Sequence, residues 1–296
     1  MTTLDVRPAP ESSPEPVEMQ RSFPPPWLRK MGSRLLSVYA AFGLAYLFIP
    51  IAVIVAFSFN RPRGKFNIVW NEFTFDNWAH PFAERELVDA FVLSLEVAAI
   101  ATAAAVVLGG LVALALTRYR FRGGAVVNML LVLPLTTPEI VLGSSLASLF
   151  IAQAYPFAPD QRGFATVVIA HTMFCVSFVA LTVKARLRGF DWALEDAAMD
   201  LGAGPVRTFT KVTFPLMIPG IMAAALLSFA LSLDDFVITL FNAGNEVTFP
   251  LYIYGATQKG IPPQIQVLST MILVASVAIL ASSTFFGRRR ERLATR

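Results

Sequence analysis

Four carboxylates lie within long apolar stretches of the sequence: Glu96, Glu139, Asp234 and Asp235. Lys and Arg, in contrast, are confined to the ends of those stretches and to the connections between them. An ionisable group inside a membrane is costly, so each one is by default a candidate for function. Because these buried candidates all carry negative charge, the pattern predicts a pathway for a cation.

Glu139 is the first of these candidates because the backbone around it is expected to be irregular. Pro134 and Pro138 each remove a backbone donor, which predicts a helix break just before the carboxylate. Irregular backbone at membrane depth is tolerated where it lines a cavity or is buried in protein. The alternative is a structural Glu139 paired with a polar group on a neighbouring helix.

The other three carboxylates are expected to differ in role. Asp234 and Asp235 are adjacent, so on a helix their side chains would point about 100° apart. One is expected to face the pathway and the other to bond within the bundle or to a partner chain, and the sequence does not distinguish them. Glu96 lies near one membrane interface and can be partly hydrated. His171 is more typical of a satisfied polar group in a helix bundle than of a ligand.

Catalytic and metal-binding chemistry finds little support in the sequence. With two His residues and one Cys, Cys175, no convincing metal site can be assembled. The phosphate-binding pattern G-x-x-x-x-G-K-[ST] is absent, and the only Gly-Lys pair, Gly64-Lys65, has no glycine-rich loop ahead of it. We expect no cofactor on this chain, no catalytic residues, and an energy source in a partner.

Six elements are expected to position these residues. The chain is 55% hydrophobic and 15% charged, whereas soluble domains are roughly 45–50% apolar and about 25% charged. A spanning helix needs about 20 mostly apolar residues, which predicts an all-α polytopic membrane protein with six transmembrane helices. The predicted spans are Leu35–Phe59, Ala90–Leu116, Val126–Ala152, Phe164–Leu187, Ile218–Phe241 and Gln266–Phe286.

The basic residues predict how these spans are oriented. Of the 24 Lys and Arg residues, 18 fall before the first span, after the second and fourth, and after the last. Cytoplasmic connections carry the excess of positive charge, so we expect both termini in the cytoplasm of a bacterial inner-membrane protein. The expected domains are a Pro-rich, partly disordered tail (1–34), the membrane domain (35–287) and a basic tail (288–296).

The cytoplasmic connection between the fourth and fifth spans has a pattern that a simple linker does not require. Acidic residues and alanines alternate before a Gly-Ala-Gly-Pro break, and Pro205 can open a second short helix. ABC-transporter permeases carry the pattern E-A-A, three residues, G, nine residues, I-x-L-P in the loop that docks their ATPase. This sequence resembles it at the same spacing, with Asp for Glu, Val for Ile and Phe for Leu: Asp196-Ala197-Ala198, Gly202 and Val212-Thr213-Phe214-Pro215.

Further segments resemble the polyamine branch of type I ABC importers: Ser58–Asn60, Phe73–Trp78, Pro138–Gly143 and Ser232–Ile238. The resemblance implies the permease fold and a coupling loop over 191–216, in which the expected coupling residues are Glu195, Asp196, Ala197, Ala198, Gly202, Pro205 and Pro215. It implies a pair of ATPase subunits that hold ATP and Mg²⁺, a second related permease, a periplasmic or extracellular binding protein, and a putrescine or spermidine cargo.

Other functions remain open at this point. The same architecture could carry another organic cation, an opine-like compound or ferric iron. An autonomous channel or secondary carrier would usually show internal repeats, which are not evident, and would leave the docking pattern unexplained. A membrane-bound enzyme has no catalytic constellation to support it.

Overall fold

The computed structural model describes residues 26–119, 121–152 and 162–294, and of residues 26–34 and 279–294 it describes the backbone alone. Apart from one isolated bridge between Asn60 and Phe73, the regular structure in these ranges is helical, as predicted. The helices are α1 Pro26–Phe57, α2 Asp76–Ala79, α3 Arg85–Arg118, α4 Gly124–Thr136, α5 Glu139–Ile151, α6 Phe164–Leu187, α7 Ala193–Asp200, α8 Pro205–Thr208, a π-helical turn Phe209–Thr213, α9 Phe214–Asp234, α10 Val237–Asn242, α11 Phe249–Lys259 and α12 Pro263–Ala294.

The chain divides into two compact units, residues 1–53 and 54–296. In its described part the first unit consists of α1 as far as Val53, and its apolar side chains are exposed from Leu35 onwards except for the half-buried Ile51. Helix α1 begins at Pro26, within the segment expected to be a tail, and residues 1–25 of that segment lie outside the described residues. The second unit contains every other helix and all of the candidate site residues.

Among the described residues, four helices are long and apolar enough to cross a membrane. Their bounds are Leu35–Phe57, Arg85–Arg118, Phe164–Leu187 and Pro205–Asp234. The sixth predicted span coincides with α12, whose apolar portion with described side chains is Pro263–Ala278. The fold is therefore that of a multi-spanning helical membrane protein, with the third and fifth predicted spans departing from a single straight helix.

The third predicted span, Val126–Ala152, is two helices that meet at an angle of 107°. Thr137 is extended, with φ −78° and ψ 132°, and Pro138 precedes the first turn of α5. Proline disfavours the helical conformation of the residue before it, so the break falls at Thr137–Pro138. Pro134, the other predicted break, lies inside α4.

The fifth predicted span, Ile218–Phe241, is also interrupted. Helix α9 ends at Asp234, and the chain resumes as α10 at Val237. The Asp235 carboxylate accepts a hydrogen bond from the backbone N–H of Thr239 at 2.9 Å. Aspartate side chains that bond nearby backbone groups in this way favour helix starts over helix interiors, which explains why the helix does not continue.

Helices α3, α6 and α9 form the core of the second unit. Small residues in α3 allow close packing, since Ala98, Ala101 and Ala105 are fully buried. At Gly109, a Cβ would come within 2.8 Å of the Val179 Cβ on α6, so only glycine permits this approach.

Contacts along these helices establish their directions. Val97 of α3 and Val167 of α6 share one buried cluster, and Gly109 lies at Val179, 12 residues farther along each helix, so α3 and α6 run parallel. Because α3 and α6 run in the same direction, the chain between them must return to the end of the bundle where α6 begins. Helices α4 and α5 lie in this returning segment. Helix α9 runs antiparallel to α6.

Candidate functional site

The connection between α6 and α9 folds as a helix–turn–helix at the end of the bundle where α3 terminates. We call this end the basic end, because it carries Arg118, Lys184, Arg186, Arg207 and Lys211. Helix α7 ends at Asp200, α8 begins at Pro205, and Gly202 makes the turn with a φ of +84°. Residues with a Cβ rarely adopt that conformation, so the glycine is required by backbone geometry.

Glu195 points inward from α7, although the resemblance placed it among the coupling residues. Its side chain is buried, and it accepts hydrogen bonds from the Arg118 guanidinium and the Thr213 hydroxyl. The Arg118 guanidinium also lies 5.7 Å from the centre of the Trp192 ring. The carboxylate of Glu195 therefore bonds to residues of its own chain and does not lie on the surface.

The other residues that the resemblance assigns to coupling lie at or near the surface of this element. Asp196, Ala197 and Gly202 are exposed, and Ala198 is half-buried. Pro205 opens α8, and Pro215 lies in the first turn of α9. This arrangement leaves one edge of α7, the turn and α8 open for contact with another surface.

Two apolar side chains flank the turn and were not among the predicted coupling residues. Leu201 is 90% exposed and Val206 is 77% exposed. Large apolar side chains this exposed next to small residues are typical of a docking surface. The signal was present in the sequence, since both residues lie within two positions of the Gly-Ala-Gly turn that follows the acidic segment 191–200.

The two adjacent aspartates take different environments at the break between α9 and α10. Asp235 is buried, and the His171 Nε2 lies 3.2 Å from its carboxylate. The other ring nitrogen of His171 lies 2.7 Å from the Ser232 hydroxyl, so the imidazole links α6 to both sides of the break. Asp235 thus bonds within the bundle, and Asp234 is exposed.

Asp234 lies on the wall of a cavity of about 490 Å³, which we call the aromatic cavity. Phe236 and Tyr254 stand with their ring centres 5.0 Å apart. The lining is apolar except for the carboxylate, one phenol and one hydroxyl: Leu233, Asp234, Phe236, Phe249, Pro250, Ile253, Tyr254, Thr257 and Ile272. Sequence reasoning identified Asp234 but did not bring the rings to its side, because they come from α11 and the interhelical break.

Glu96 lines a second cavity of about 500 Å³, the acidic groove, at the end of α3 opposite Arg118. Three further carboxylates line it, Glu86, Asp89 and Glu246. The sequence analysis missed these three because carboxylates outside apolar stretches are ordinary surface residues. The Arg85 Nε lies 4.0 Å from the Asp89 Oδ2, and both side chains are exposed.

Tyr252 completes the lining of the acidic groove. Burial, followed by the charges of Glu84 and Glu86, raises the pKa of this phenol. Its hydroxyl therefore stays protonated around neutral pH, and the negative charge of the groove comes from the carboxylates alone.

Glu139 lines neither cavity. It is the first residue of α5 and is exposed, where a carboxylate interacts favourably with the positive end of the helix dipole. The structure therefore places Glu96, Glu139 and Asp234 in three separate settings on this chain.

The helical bundle, its broken spans and the exposed helix–turn–helix define a class, the membrane-embedded subunits of transporters. The model of the family described as "Binding-protein-dependent transport system inner membrane component" matches residues 105–295. The chain belongs to that family.

Individual relatives agree with the family match. The chain is 36% identical over 248 residues to the spermidine/putrescine transport system permease protein PotC of Haemophilus influenzae, covering 83% of this chain and 94% of the relative. It is 37% identical over 236 residues to the putrescine transport system permease protein PotI of Escherichia coli K12, covering 79% and 83%.

A solved structure shares the fold. The match is to a bacterial ABC transporter involved in the import of the acidic polysaccharide alginate, with a TM-score of 0.62 at 16% identity. It covers 88% of this chain and 98% of that chain. The predicted fold class, an all-helical ABC importer permease, is confirmed.

Proposed function

We propose that this chain is the permease subunit of an ATP-driven polyamine importer and forms half of its translocation pathway. The relatives at 36–37% identity are named for spermidine and putrescine transport, which supports this cargo class. The observation that carries the proposal within the chain is the aromatic cavity with its single carboxylate, Asp234.

The chemistry of that cavity suits a polyamine. Such a molecule consists of ammonium groups separated by methylene chains, so it needs both an anion and apolar walls. Asp234 supplies a carboxylate for one ammonium, and a charge-assisted hydrogen bond is among the stronger polar contacts. Phe236 and Tyr254 offer aromatic faces, which attract cations, and the apolar lining accommodates methylenes.

The acidic groove would act before the aromatic cavity. Clustered charge of one sign attracts ions of the opposite sign and raises their local concentration. Glu86, Glu96 and Glu246 would therefore collect a multivalent cation released by a binding protein. Glu139 would contribute to the pathway from the α4–α5 break, where the second permease would complete its surroundings.

The proposal includes the partners and their positions. The basic end would face the cytoplasm, with both termini on that side, because cytoplasmic connections carry the excess of Lys and Arg. The exposed edge around Asp196, Gly202 and Val206 would dock an ATPase subunit, which would hold ATP and Mg²⁺. This chain would not hydrolyse ATP, and a second permease would complete the pathway.

Uptake of labelled putrescine and of labelled spermidine tests the proposal. The complex purified through a tag on this chain, with its native partner subunits, is reconstituted in liposomes with its binding protein. We expect uptake that depends on ATP and on the binding protein, and competition between the two polyamines. Uptake of ferric iron or another organic cation instead would overturn the cargo, and proton-driven uptake by the chain alone would overturn the class.

A further inference from the structure

A buried ionic cluster joins three segments at the basic end of the bundle. Glu195 on α7 accepts hydrogen bonds from Arg118, in the last turn of α3, and from Thr213, the residue directly before α9. We call Arg118, Glu195 and Thr213 the latch. Thr213 is fully buried and Glu195 is 3% exposed, while the Arg118 side chain is 36% exposed.

Burial makes the latch a strict constraint on geometry. A carboxylate removed from water is tolerated when it is paired and hydrogen-bonded, and losing its partner leaves an uncompensated buried charge. The end of α3 therefore cannot move away from α7 without a large energetic cost. Arg118 is further held by the Trp192 ring beneath its guanidinium.

The helices that the latch joins extend to the acidic groove and to the aromatic cavity. Helix α3 continues for 34 residues, a length of roughly 50 Å, and its far end lines the acidic groove with Glu86 and Glu96. Helix α9 follows Thr213 and ends at Asp234 in the aromatic cavity. Thr213 also closes a π-helical turn, a feature that occurs frequently at functional sites.

We propose that Glu195 is a positioning residue that transmits movement of the ATPase-docking element to α3 and α9. Its neighbour Asp196 faces outward from the same helix, so α7 has a docking side and a latch side. A shift of the docking side moves the C-terminal end of α3 and the N-terminal end of α9 with it. The carboxylates at the opposite ends of these two helices then move together. The inference rests on the proposed function, in which an ATPase drives the cycle.

The test compares putrescine uptake with ATP hydrolysis in the same reconstituted complex. The variants are Arg118→Gln, Glu195→Gln and the double substitution. Arg122→Gln serves as the control, because it removes the same charge from an exposed position in the connection after α3. The quantity measured is the number of labelled putrescine molecules transported per ATP hydrolysed, together with the amount of ATPase that co-purifies.

We expect each single variant to retain its ATPase and to transport about tenfold less putrescine per ATP, within the roughly 5- to 150-fold span of typical coupling between sites. The double variant should be no worse than Arg118→Gln, because both changes disrupt one pair and contacting residues are not additive. The control should keep the wild-type ratio.

Three results would overturn the latch while leaving the proposed function standing. The first is an unchanged ratio in an active complex, and the second is losses that multiply in the double variant. The third is loss of the ATPase from either single variant, which would assign the cluster to docking. A wild-type complex without ATP-dependent putrescine uptake would instead refute the proposed function itself.

Discussion

Asp234 and Asp235 are neighbours in the chain but differ in what surrounds them. The carboxylate of Asp235 is satisfied by Thr239 and by the buried His171 ring. The carboxylate of Asp234 opens onto the aromatic cavity. Because the two residues have the same chemistry, their substitution separates a contribution to stability from a contribution to cargo binding.

Asp234→Asn should weaken transport without weakening the fold. The substitution keeps the shape and removes the charge, and a hydrogen bond to a charged group contributes about 1.5–3 kcal/mol, so we expect the KM for labelled putrescine to rise at least about tenfold. The Tm of the purified complex should stay unchanged. An unaltered KM would mean that the cavity does not bind the cargo.

Asp235→Asn should show the reverse pattern. An amide in place of the carboxylate cannot accept all of the hydrogen bonds that Asp235 now accepts, and leaving a buried donor unsatisfied costs about 1–3 kcal/mol, so thermal unfolding should occur at a clearly lower temperature. The KM of whatever complex remains folded should change little. Equal effects of the two substitutions on both measurements would contradict the division of roles.

The sequence predicted that these two aspartates would diverge but could not say how. The outcome depends on the contacts that Ser232 and Asp235 make with the buried His171 ring, 61 residues or more away along the chain. Glu195 and Asp196 show the same limit. Which of them faces outward is determined by Arg118, 77 residues away.

At the scale of elements, helix bounds were predicted correctly where the local sequence pattern is unambiguous. The fourth predicted span, Phe164–Leu187, has the same bounds as α6, because an uninterrupted apolar run follows a glycine and ends in basic residues. Pro138 indicated the break before α5, but its 107° angle reflects packing that no local pattern encodes. The acidic groove was missed because it is assembled from separate elements.

Gly202 and Gly204 offer a matched pair within the helix–turn–helix between α6 and α9. Both are exposed with space for a side chain, but Gly202 has a φ of +84° and Gly204 a φ of −70°. A β-branched residue is a genuine outlier at positive φ, so Gly202→Val should displace α8 relative to α7, whereas Gly204→Val should be tolerated.

The amount of ATPase that co-purifies with the tagged chain measures the effect of these two substitutions. We expect Gly202→Val to reduce the ATPase recovered with the tagged chain several-fold while its amount in the membrane stays the same, and Gly204→Val to recover the wild-type amount. Equal recovery from both variants would show that docking does not need the tight turn.

At the scale of the whole molecule, the chain separates charge between its two ends. Arg118 and the α6–α9 connection gather at the basic end, and Glu86, Glu96 and Glu246 line the groove at the other. Helices α3 and α6 end together at the basic end, so one orientation in the membrane determines the exposure of every loop. Positive charge favours the cytoplasmic side, so in the proposed function the acidic groove would face the exterior, where a cation would arrive.

Cysteine labelling in intact cells tests this orientation. Cys175 is buried and can be replaced by Ala to give a background without thiols. Gly189 on the basic end and Gly64 in the connection between α1 and α2 are exposed, and a Cβ at either position meets no close contact. Gly64→Cys should react with a membrane-impermeant maleimide in intact cells, whereas Gly189→Cys should react only after the inner membrane is opened, because its side of the bilayer is cytoplasmic. The opposite labelling pattern would show that the orientation is inverted and that the acidic groove faces the cytoplasm. That orientation is incompatible with import of a cation through the groove.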